Sequence, residues 1–276
     1  MTSTALSFFG DPATFATALN ALGDVAVVTP ARGPFRAQLT SIALPRLSLL
    51  AAEERQARVA FVAPPAGRVV IMLPTNNSDP SVWNSAPRQD HELITIGARA
   101  RPHWWTRGAA RWMAVCLSAE VLVASGRILE GAGFHVPQDL RRWRPPHREL
   151  RALVRLCGAA IRLAETHPAM PLDAGASRGL EQEVLEMLIE CLSAGQPEPD
   201  PPARQREVAL MERVEGLLRE PASRHANANA LFAALGCSEL ALRACFRAHL
   251  GIGPRQYIRL RRADAQSDGR ACWQAR

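Results

Sequence analysis

Short apolar runs set the pattern of the first half of the chain. Between residues 25 and 123, turns that contain Gly, Pro, Asn or Asp separate most of them. The runs are VAVV (25–28), FRAQLTSIAL (35–44), RLSLL (46–50), RVAFV (58–62), RVVIML (68–73), ELITIG (92–97) and RWMAVCLS (111–118). Regularly spaced short strands with such turns are typical of a β-sandwich or a small barrel. We therefore predict an α+β protein whose residues 1–136 form a β-rich domain.

Helical periodicity replaces the strand pattern after residue 137. Apolar residues recur at helical spacing from about residue 147 to 166, and again from about residue 178 to 192. We assign residues 137–195 to a helical linker, in which the basic segment 141–146 is a proline-stiffened joint. One interpretation of the helix pair is that it covers the β-rich domain.

The proline-rich stretch QPEPDPP (196–202) cannot continue a helix, so the main domain boundary is placed in a linker over residues 196–203. Residues 204–262 then show helical patterns again. They contain eleven Arg against five Glu, so this segment carries +6 of the net charge of +7. Positive charge concentrated in this way is the electrostatic footprint of a polyanion partner.

Residues 231–257 predict two short helices at a sharp angle, with Gly236 in the turn and Ser238 as the cap of the second helix. The inner face of that second helix consists of Leu242, Cys245, Phe246 and His249 at i, i+3, i+4 and i+7. The opposite face, called the outer face below, consists of Leu240, Arg243, Ala244 and Arg247. Any αα-hairpin of a helix bundle can show this spacing, which alone does not indicate DNA binding.

The stretch resembles the first helix-turn-helix of AraC-type transcriptional regulators. The residues that carry the resemblance are Gly236, Ser238, Leu242, Phe246, Arg247, Leu250, Gly251 and Pro254. The resemblance implies a C-terminal all-α helix-turn-helix unit, double-stranded DNA as partner, and base reading by the outer face. By chemistry, Arg243 suits a bidentate contact to guanine and Leu240 a thymine methyl, while Ser238, Arg255 and Arg259 are candidates for phosphate contacts. The resemblance to AraC-type regulators also implies a homodimer that forms through residues 147–192.

The β-rich region resembles the cupin-like sensor domain of some AraC-type regulators, which implies a small-molecule effector. A turn centred on His103, followed by Trp104, Trp105 and Trp112, supplies the candidate pocket residues for an apolar or aromatic effector. The alternative is that these side chains fill the barrel. The His-x-His pair that cupin enzymes use for metal binding is missing, so we expect neither a metal site nor a cofactor.

Enzymatic chemistry is not expected. Residues 175–179 match the letters of the hydrolase motif G-x-S-x-G, but no apolar strand precedes them, so Ser177 is expected to be a helix cap. The six cysteines lie singly, which favours reduced, buried thiols, and no run approaches the length of a membrane span. We expect a soluble cytoplasmic protein.

The end of the sequence departs from the resembled family, whose DNA-binding region has two helix-turn-helix units. Residues 263–276 show no apolar period and are too few for a second unit, so we expect a truncated chain with a disordered tail. The expected function is an effector-responsive transcriptional regulator with weakened, salt-dependent DNA binding. The alternative is an interaction protein that dimerises but no longer reads DNA.

Overall fold

A computed structural model of the protein describes residues 3–30, 33–75, 81–168, 173–198, 200–220 and 228–263. The described strands are β1 (Ser3–Phe9), β2 (Asp24–Val28), β3 (Ala37–Ala43), β4 (Leu47–Glu54), β5 (Arg58–Ala63), β6 (Arg68–Leu73), β7 (Val82–Trp83), β8 (Ala86–Pro87), β9 (Leu93–Ile96), β10 (His103–Thr106), β11 (Ala110–Ser118), β12 (Leu140–Arg144) and β13 (Gln196–Glu198). The helices are α1 (Pro12–Ala18), α2 (Ala119–Glu130), α3 (His147–Thr166), α4 (Ala174–Ala194), α5 (Pro202–Arg219), α6 (Ala228–Leu235), α7 (Glu239–Leu250) and α8 (residues 254–263). A short 3-10 helix, Asn20–Leu22, follows α1.

The strands form two antiparallel sheets, which together are called the sandwich. The larger sheet has the order β1-β3-β4-β11-β6-β9-β12-β13, and the smaller has the order β2-β5-β10-β7-β8. Each of the seven apolar runs contains a strand, and helices follow the sheets, so the predicted α+β class with an N-terminal β-sandwich is confirmed.

Strand β11 shows how the larger sheet buries both of its faces. Its residues Trp112, Ala114 and Cys116 enter the core between the two sheets, whereas Met113, Val115 and Leu117 pack towards the helices. Successive side chains of a strand point to opposite faces, so a strand buried on both sides must be apolar almost throughout. The run RWMAVCLS meets this requirement.

Helices α2, α3 and α4 cover the outer side of the larger sheet. The α3 stripe includes Leu150, Leu153, Cys157 and Ile161, and the α4 stripe includes Val184, Leu185 and Leu188; all seven are buried in one cluster with the sheet. Full burial of a large aliphatic side chain contributes about 1.5–3 kcal/mol. The apolar stripes of both predicted helices therefore serve to cover the β-rich domain.

The segments on either side of the predicted boundaries differ from the prediction. Strand β12 lies within the expected helical linker and pairs with β9, while β13 lies within the expected proline-rich linker and pairs with β12. Pro197 is tolerated because β13 is the edge of the sheet. The Arg side chains of β12 hide its alternation, since the buried Arg142 takes an inward position that an apolar residue would normally occupy.

Two further elements also differ. The pattern of short strands was expected to continue to residue 123, but helix α2 begins at Ala119. Ser118 caps this helix, because its side chain accepts a hydrogen bond from the Glu120 N–H at 3.2 Å. His103, expected in a turn, is the first residue of β10. Ser177 lies in the first turn of α4, and the helix is capped by Asp173 instead.

The five described cysteines are free: Cys116, Cys157, Cys191, Cys237 and Cys245. Burial raises the pKa of the Cys116, Cys157, Cys191 and Cys245 thiols to about 12. Such thiols stay protonated and unreactive near neutral pH. The predicted disordered tail was residues 263–276. Ala263 is the last residue of α8, and the rest of that segment, including Cys272, lies outside the described residues. In the described part of the chain, no helix combines the length and apolarity that a membrane span requires.

Candidate nucleic-acid interface

Helix α7 separates a buried face from an open one. Ser238 caps its start, with the hydroxyl oxygen accepting from the Ala241 N–H at 3.2 Å, and Gly251 ends it with φ of 68°. The inner-face residues Leu242, Cys245, Phe246 and His249 are all buried. The two-faced helix predicted from the spacing is therefore present.

The outer face of α7 is exposed at all four positions. Leu240 is 79% exposed, and Arg243, Ala244 and Arg247 are also exposed. At 1.5 Å per residue, Leu240 and Arg247 lie about 10 Å apart along the helix axis. A DNA major groove is about 12 Å wide and admits one α-helix, so this surface has the dimensions of a groove-reading helix.

Arg243 is held along the helix by an ion pair with Glu239 at 2.8 Å, and both side chains are about half exposed. Exposed pairs four residues apart on a helix contribute only about 0.3–0.5 kcal/mol. A guanine edge or a phosphate can therefore replace Glu239 as the partner of Arg243 at little cost.

Helix α8 presents further cationic side chains. Arg255 and Arg259 are exposed and four residues apart, so they share one face of the helix. The Arg255 guanidinium donates to the Asn229 side-chain oxygen at 2.9 Å, which connects α8 to α6. The seven residues predicted to contact DNA thus belong to the cap of α7, the outer face of α7 and one face of α8.

Helices α5 to α8, called the C-terminal unit, pack on the outer side of the smaller sheet. Val28, Val59, Val82 and Trp105 of the sheet share one buried cluster with residues of α5, α7 and α8. The Trp105 indole N–H donates to the Ala248 carbonyl at 3.3 Å. Because α7 docks through its inner side, its outer face points away from the contact.

A buried carboxylate lies at the centre of this contact. Glu215 of α5, 3% exposed, accepts a hydrogen bond from the Tyr257 hydroxyl and lies 3.2 Å from His103 Nε2. Its second oxygen lies 3.1 Å from the Arg261 guanidinium. Burial raises the pKa of the Glu215 carboxyl, but the hydrogen bond from His103 and the charge of Arg261 outweigh it, so the pKa is about 2.

The turn between β7 and β8 forms a second polar contact with the C-terminal unit. The Ser85 hydroxyl donates to a Glu207 carboxylate oxygen at 3.0 Å, and the same oxygen lies 3.7 Å from His249 Nδ1. Asn84 and Ser85 have φ of 45° and 65°, the only positive values among the described non-glycine residues. Burial, followed by the charge of His103, lowers the pKa of His249 to about 4, so this imidazole is neutral near pH 7.

The four residues of the predicted effector pocket do not share one surface: His103, Trp104 and Trp105 belong to β10 of the smaller sheet, and Trp112 belongs to β11 of the larger sheet. His103 and Trp105 face the C-terminal unit, whereas Trp104 enters the core between the sheets with Trp112. Trp104 stacks on Trp83 at 4.6 Å between ring centroids. The structure thus brings Trp104 and Trp112 together as barrel filling, but the alternation of β10 prevents all four from lining one pocket. Binding of a small-molecule effector stays a prediction.

Sequence reasoning missed the role of Glu215 and His103 in the contact between the sandwich and the C-terminal unit. One signal was available for Glu215, which directly follows Val214 in the apolar stripe of α5. A charge at a buried helical position requires a partner. Within the described residues, no three His, Cys, Asp or Glu side chains are close enough to hold a metal ion.

The antiparallel sandwich, its covering helices and the C-terminal unit together form a fold similar to that of an AraC-like transcriptional activator. The crystal structure of the AraC-like transcriptional activator CuxR is similar over 95% of this chain and 94% of that chain, with a TM-score of 0.50 and 16% sequence identity. ToxT from Vibrio cholerae covers 78% of this chain and 98% of its own, with a TM-score of 0.30 and 8% identity. No protein-family model and no curated protein matches the sequence.

Proposed function

We propose that the protein is an effector-responsive transcriptional regulator that binds double-stranded DNA through the outer face of α7. The observation that carries the proposal is the division of α7. Its inner face is fully used in packing, while its outer face offers an exposed Leu and two exposed Arg at helical spacing. In the proposed organisation, residues 1–136 sense the effector, residues 137–195 support dimerisation and residues 204–262 bind DNA in the cytoplasm.

Base contacts and phosphate contacts have distinct signatures in this proposal. Arg243 would bond a guanine edge through two N–H groups, and Leu240 would contact a thymine methyl. Ser238, Arg255 and Arg259 would contact phosphates and so contribute affinity without sequence preference. Arg247 and Ala244 complete the outer face.

The proposal includes weak binding by one copy. Specific sites are favoured over random DNA by about 4–10 kcal/mol, spread over all base contacts. One reading helix supplies only part of that preference, so two copies must act together. Helices α3 and α4 leave an apolar groove of about 280 Å³ lined in part by Leu156, Leu163 and Leu180, and Leu163 is 42% exposed. This groove supports homodimerisation through residues 147–192.

The DNA-binding proposal is tested by selecting sequences from a random duplex pool with the full chain, followed by fluorescence-anisotropy titrations at two salt concentrations. We expect Arg243→Ala to weaken the selected site about 5- to 150-fold and to relax its sequence preference. Arg259→Ala should weaken all sequences alike and reduce the salt slope by about one. Arg127→Ala, at an exposed Arg of α2 outside both the proposed dimer contact and the C-terminal unit, is the matched control and should change neither.

Two results would contradict the proposal. The first is a selected site that Arg243→Ala binds as well as the native protein does. The second is the failure of selection altogether with a chain that is folded and dimeric, which would favour an interaction protein that no longer reads DNA. Dimerisation itself is tested by sedimentation of the native chain and of Leu163→Glu, which we expect to be monomeric.

A further inference from the structure

The base of the β7–β8 hairpin contains a buried arginine that is bonded to a carboxylate and to the hairpin backbone. Arg142, 3% exposed, donates through Nη1 to both oxygens of Glu92 at 3.0 and 2.9 Å. Its Nη2 donates to the Trp83 carbonyl at 2.8 Å. Glu92 is itself 1% exposed and also accepts from the Gln89 N–H at 3.3 Å. The Glu92 carboxylate is therefore fully engaged by Arg142 and the backbone.

Arg88 lies near Arg142 and Glu92 but makes no hydrogen bond to the Glu92 carboxylate. It directly follows β8, and its backbone N–H donates to the Ser81 carbonyl. Burial lowers the pKa of its guanidinium to about 10, although the charge of Glu92 opposes that effect. Its Nε and Nη2 atoms are both buried, and neither has a hydrogen-bond partner among the residues that the structure describes.

These two atoms form one edge of the guanidinium plane. The N–H groups on that edge are parallel, and they match the two oxygens of a carboxylate. A buried donor without an acceptor costs about 1–3 kcal/mol, and more when it is charged. This pair of parallel N–H groups, called the fork below, is therefore expected to be unsatisfied only where a ligand supplies the acceptor.

Arg142, whose charge acts on Arg88, also has an unsatisfied donor. Its Nε atom is buried without an acceptor among the described residues. Two carboxylates act on Arg88: Glu92, which is engaged by Arg142, and Asp90, which is exposed. Neither accepts from the buried N–H groups of Arg88, so a bound anion would supply the acceptor that buried donors normally have.

We propose that Arg88 and Arg142 form a binding site for a small carboxylate ligand at the base of the β7–β8 hairpin. The two N–H groups of the Arg88 fork hold the carboxylate, and Arg142 supplies additional positive charge. Arg88 is partly exposed as a residue, whereas the two fork atoms are buried, so binding requires the guanidinium to turn this edge towards the surface.

The site lies close to the contact between the sandwich and the C-terminal unit. The turn at the other end of the same hairpin carries Ser85, which donates to Glu207 of α5. A ligand at Arg88 can thus alter how the hairpin meets α5. As an effector site the assignment rests on the proposed regulator function; as a carboxylate site it does not.

The test is isothermal titration calorimetry of the full chain, without DNA, at constant ionic strength. The probes are sodium acetate, sodium benzoate and inorganic phosphate. We expect saturable binding of at least one carboxylate. Arg88→Lys keeps the charge but loses the fork, so binding should weaken about 10- to 100-fold, as it should in Arg88→Gln. Arg68→Gln, at a partly exposed Arg of β6, is the matched control and should bind like the native protein.

Three results would overturn the assignment: no saturable binding of any carboxylate, Arg88→Lys binding as tightly as the native chain, or phosphate binding more tightly than either carboxylate. Thermal unfolding provides a second measurement. Without ligand, Arg88→Met should be at least as stable as the native chain, because it removes an unsatisfied buried cation. Clear destabilisation by Arg88→Met would show that Arg88 is satisfied structurally and would also overturn the site. Because no DNA is present, failure of DNA binding leaves both measurements intact.

Discussion

Two glycines of the C-terminal unit form a matched pair for testing its contact with the sandwich. Gly236 and Gly251 have similar backbone conformations, with φ of 63° and 68°. A Cβ atom at Gly236 would meet no atom of the described residues within 4 Å, whereas one at Gly251 would lie 2.8 Å from Cζ3 of Trp105. Replacing each with alanine therefore imposes the same backbone cost but a different steric one.

The magnitudes follow from these two contributions. A left-handed conformation costs an L-residue about 1–2 kcal/mol, and this applies at both positions. Inserting a methyl group into a packed contact costs about 1–3 kcal/mol more. Trp105 is 9% exposed and its indole N–H is bonded to Ala248, so its ring cannot easily move aside. We expect Gly251→Ala to be less stable than Gly236→Ala by about 1–3 kcal/mol.

The assay combines urea unfolding with amide hydrogen exchange. Because the ring belongs to the sandwich and the glycine to the C-terminal unit, strain at Gly251 is relieved by separating the two. Faster exchange in β10 and the end of α7 should accompany Gly251→Ala but not Gly236→Ala. Equal destabilisation by the two variants, with unchanged exchange in β10, would refute the docked arrangement.

Three further perturbations address the same contact and the outer face. Glu215→Gln should cost about 3–5 kcal/mol in unfolding free energy, and a double-mutant cycle with His103→Gln should give a coupling of about 1–3 kcal/mol; additive effects would contradict the contact. The pKa of His249 is lowered from 6.5 to about 4, so below pH 6.5 the unfolded chain binds a proton that the folded chain does not. Stability should therefore fall by up to about 3 kcal/mol between pH 6.5 and pH 4, and a His249→Leu variant that keeps this slope would show that other groups cause it. Glu239→Ala should release Arg243 and tighten DNA binding about twofold at low salt, while weaker binding in an anisotropy titration would argue against base reading by Arg243.

Local periodicity was sufficient to predict the features that depend on neighbours in sequence. The seven strand runs and the two faces of α7 follow from residue spacing alone, because alternation and the helical period fix which side chains share a face. Helix α3 was predicted over the same residues, 147–166, that the structure shows. For the same reason, the exposure of Leu240 and Arg243 was predictable from the chain.

Contacts between distant segments were not predictable in this way. His103 and Glu215 are 112 residues apart, and nothing in either local pattern identifies the other as its partner. Strand β12 was missed because an Arg in the sequence normally indicates an exposed position. Arg142 is buried, and only its ion pair with the distant Glu92 explains why. The Trp residues of β10 were assigned to one pocket because they are adjacent in sequence. In a strand, however, adjacent side chains point to opposite faces of the sheet.

The direction in which α7 faces restricts how an effector can regulate DNA binding. Docking uses the inner face of α7 and leaves the outer face open, so undocking does not uncover it. A ligand shifts an equilibrium only if it interacts differently with the two states. In the proposed dimer, docked and undocked states differ in whether two outer faces can reach two half-sites together. Gly251→Ala should therefore leave unchanged the affinity of a monomeric Leu163→Glu chain for a half-site, and change that of the dimer for a full site. An equal change in both titrations would mean that docking acts on α7 itself.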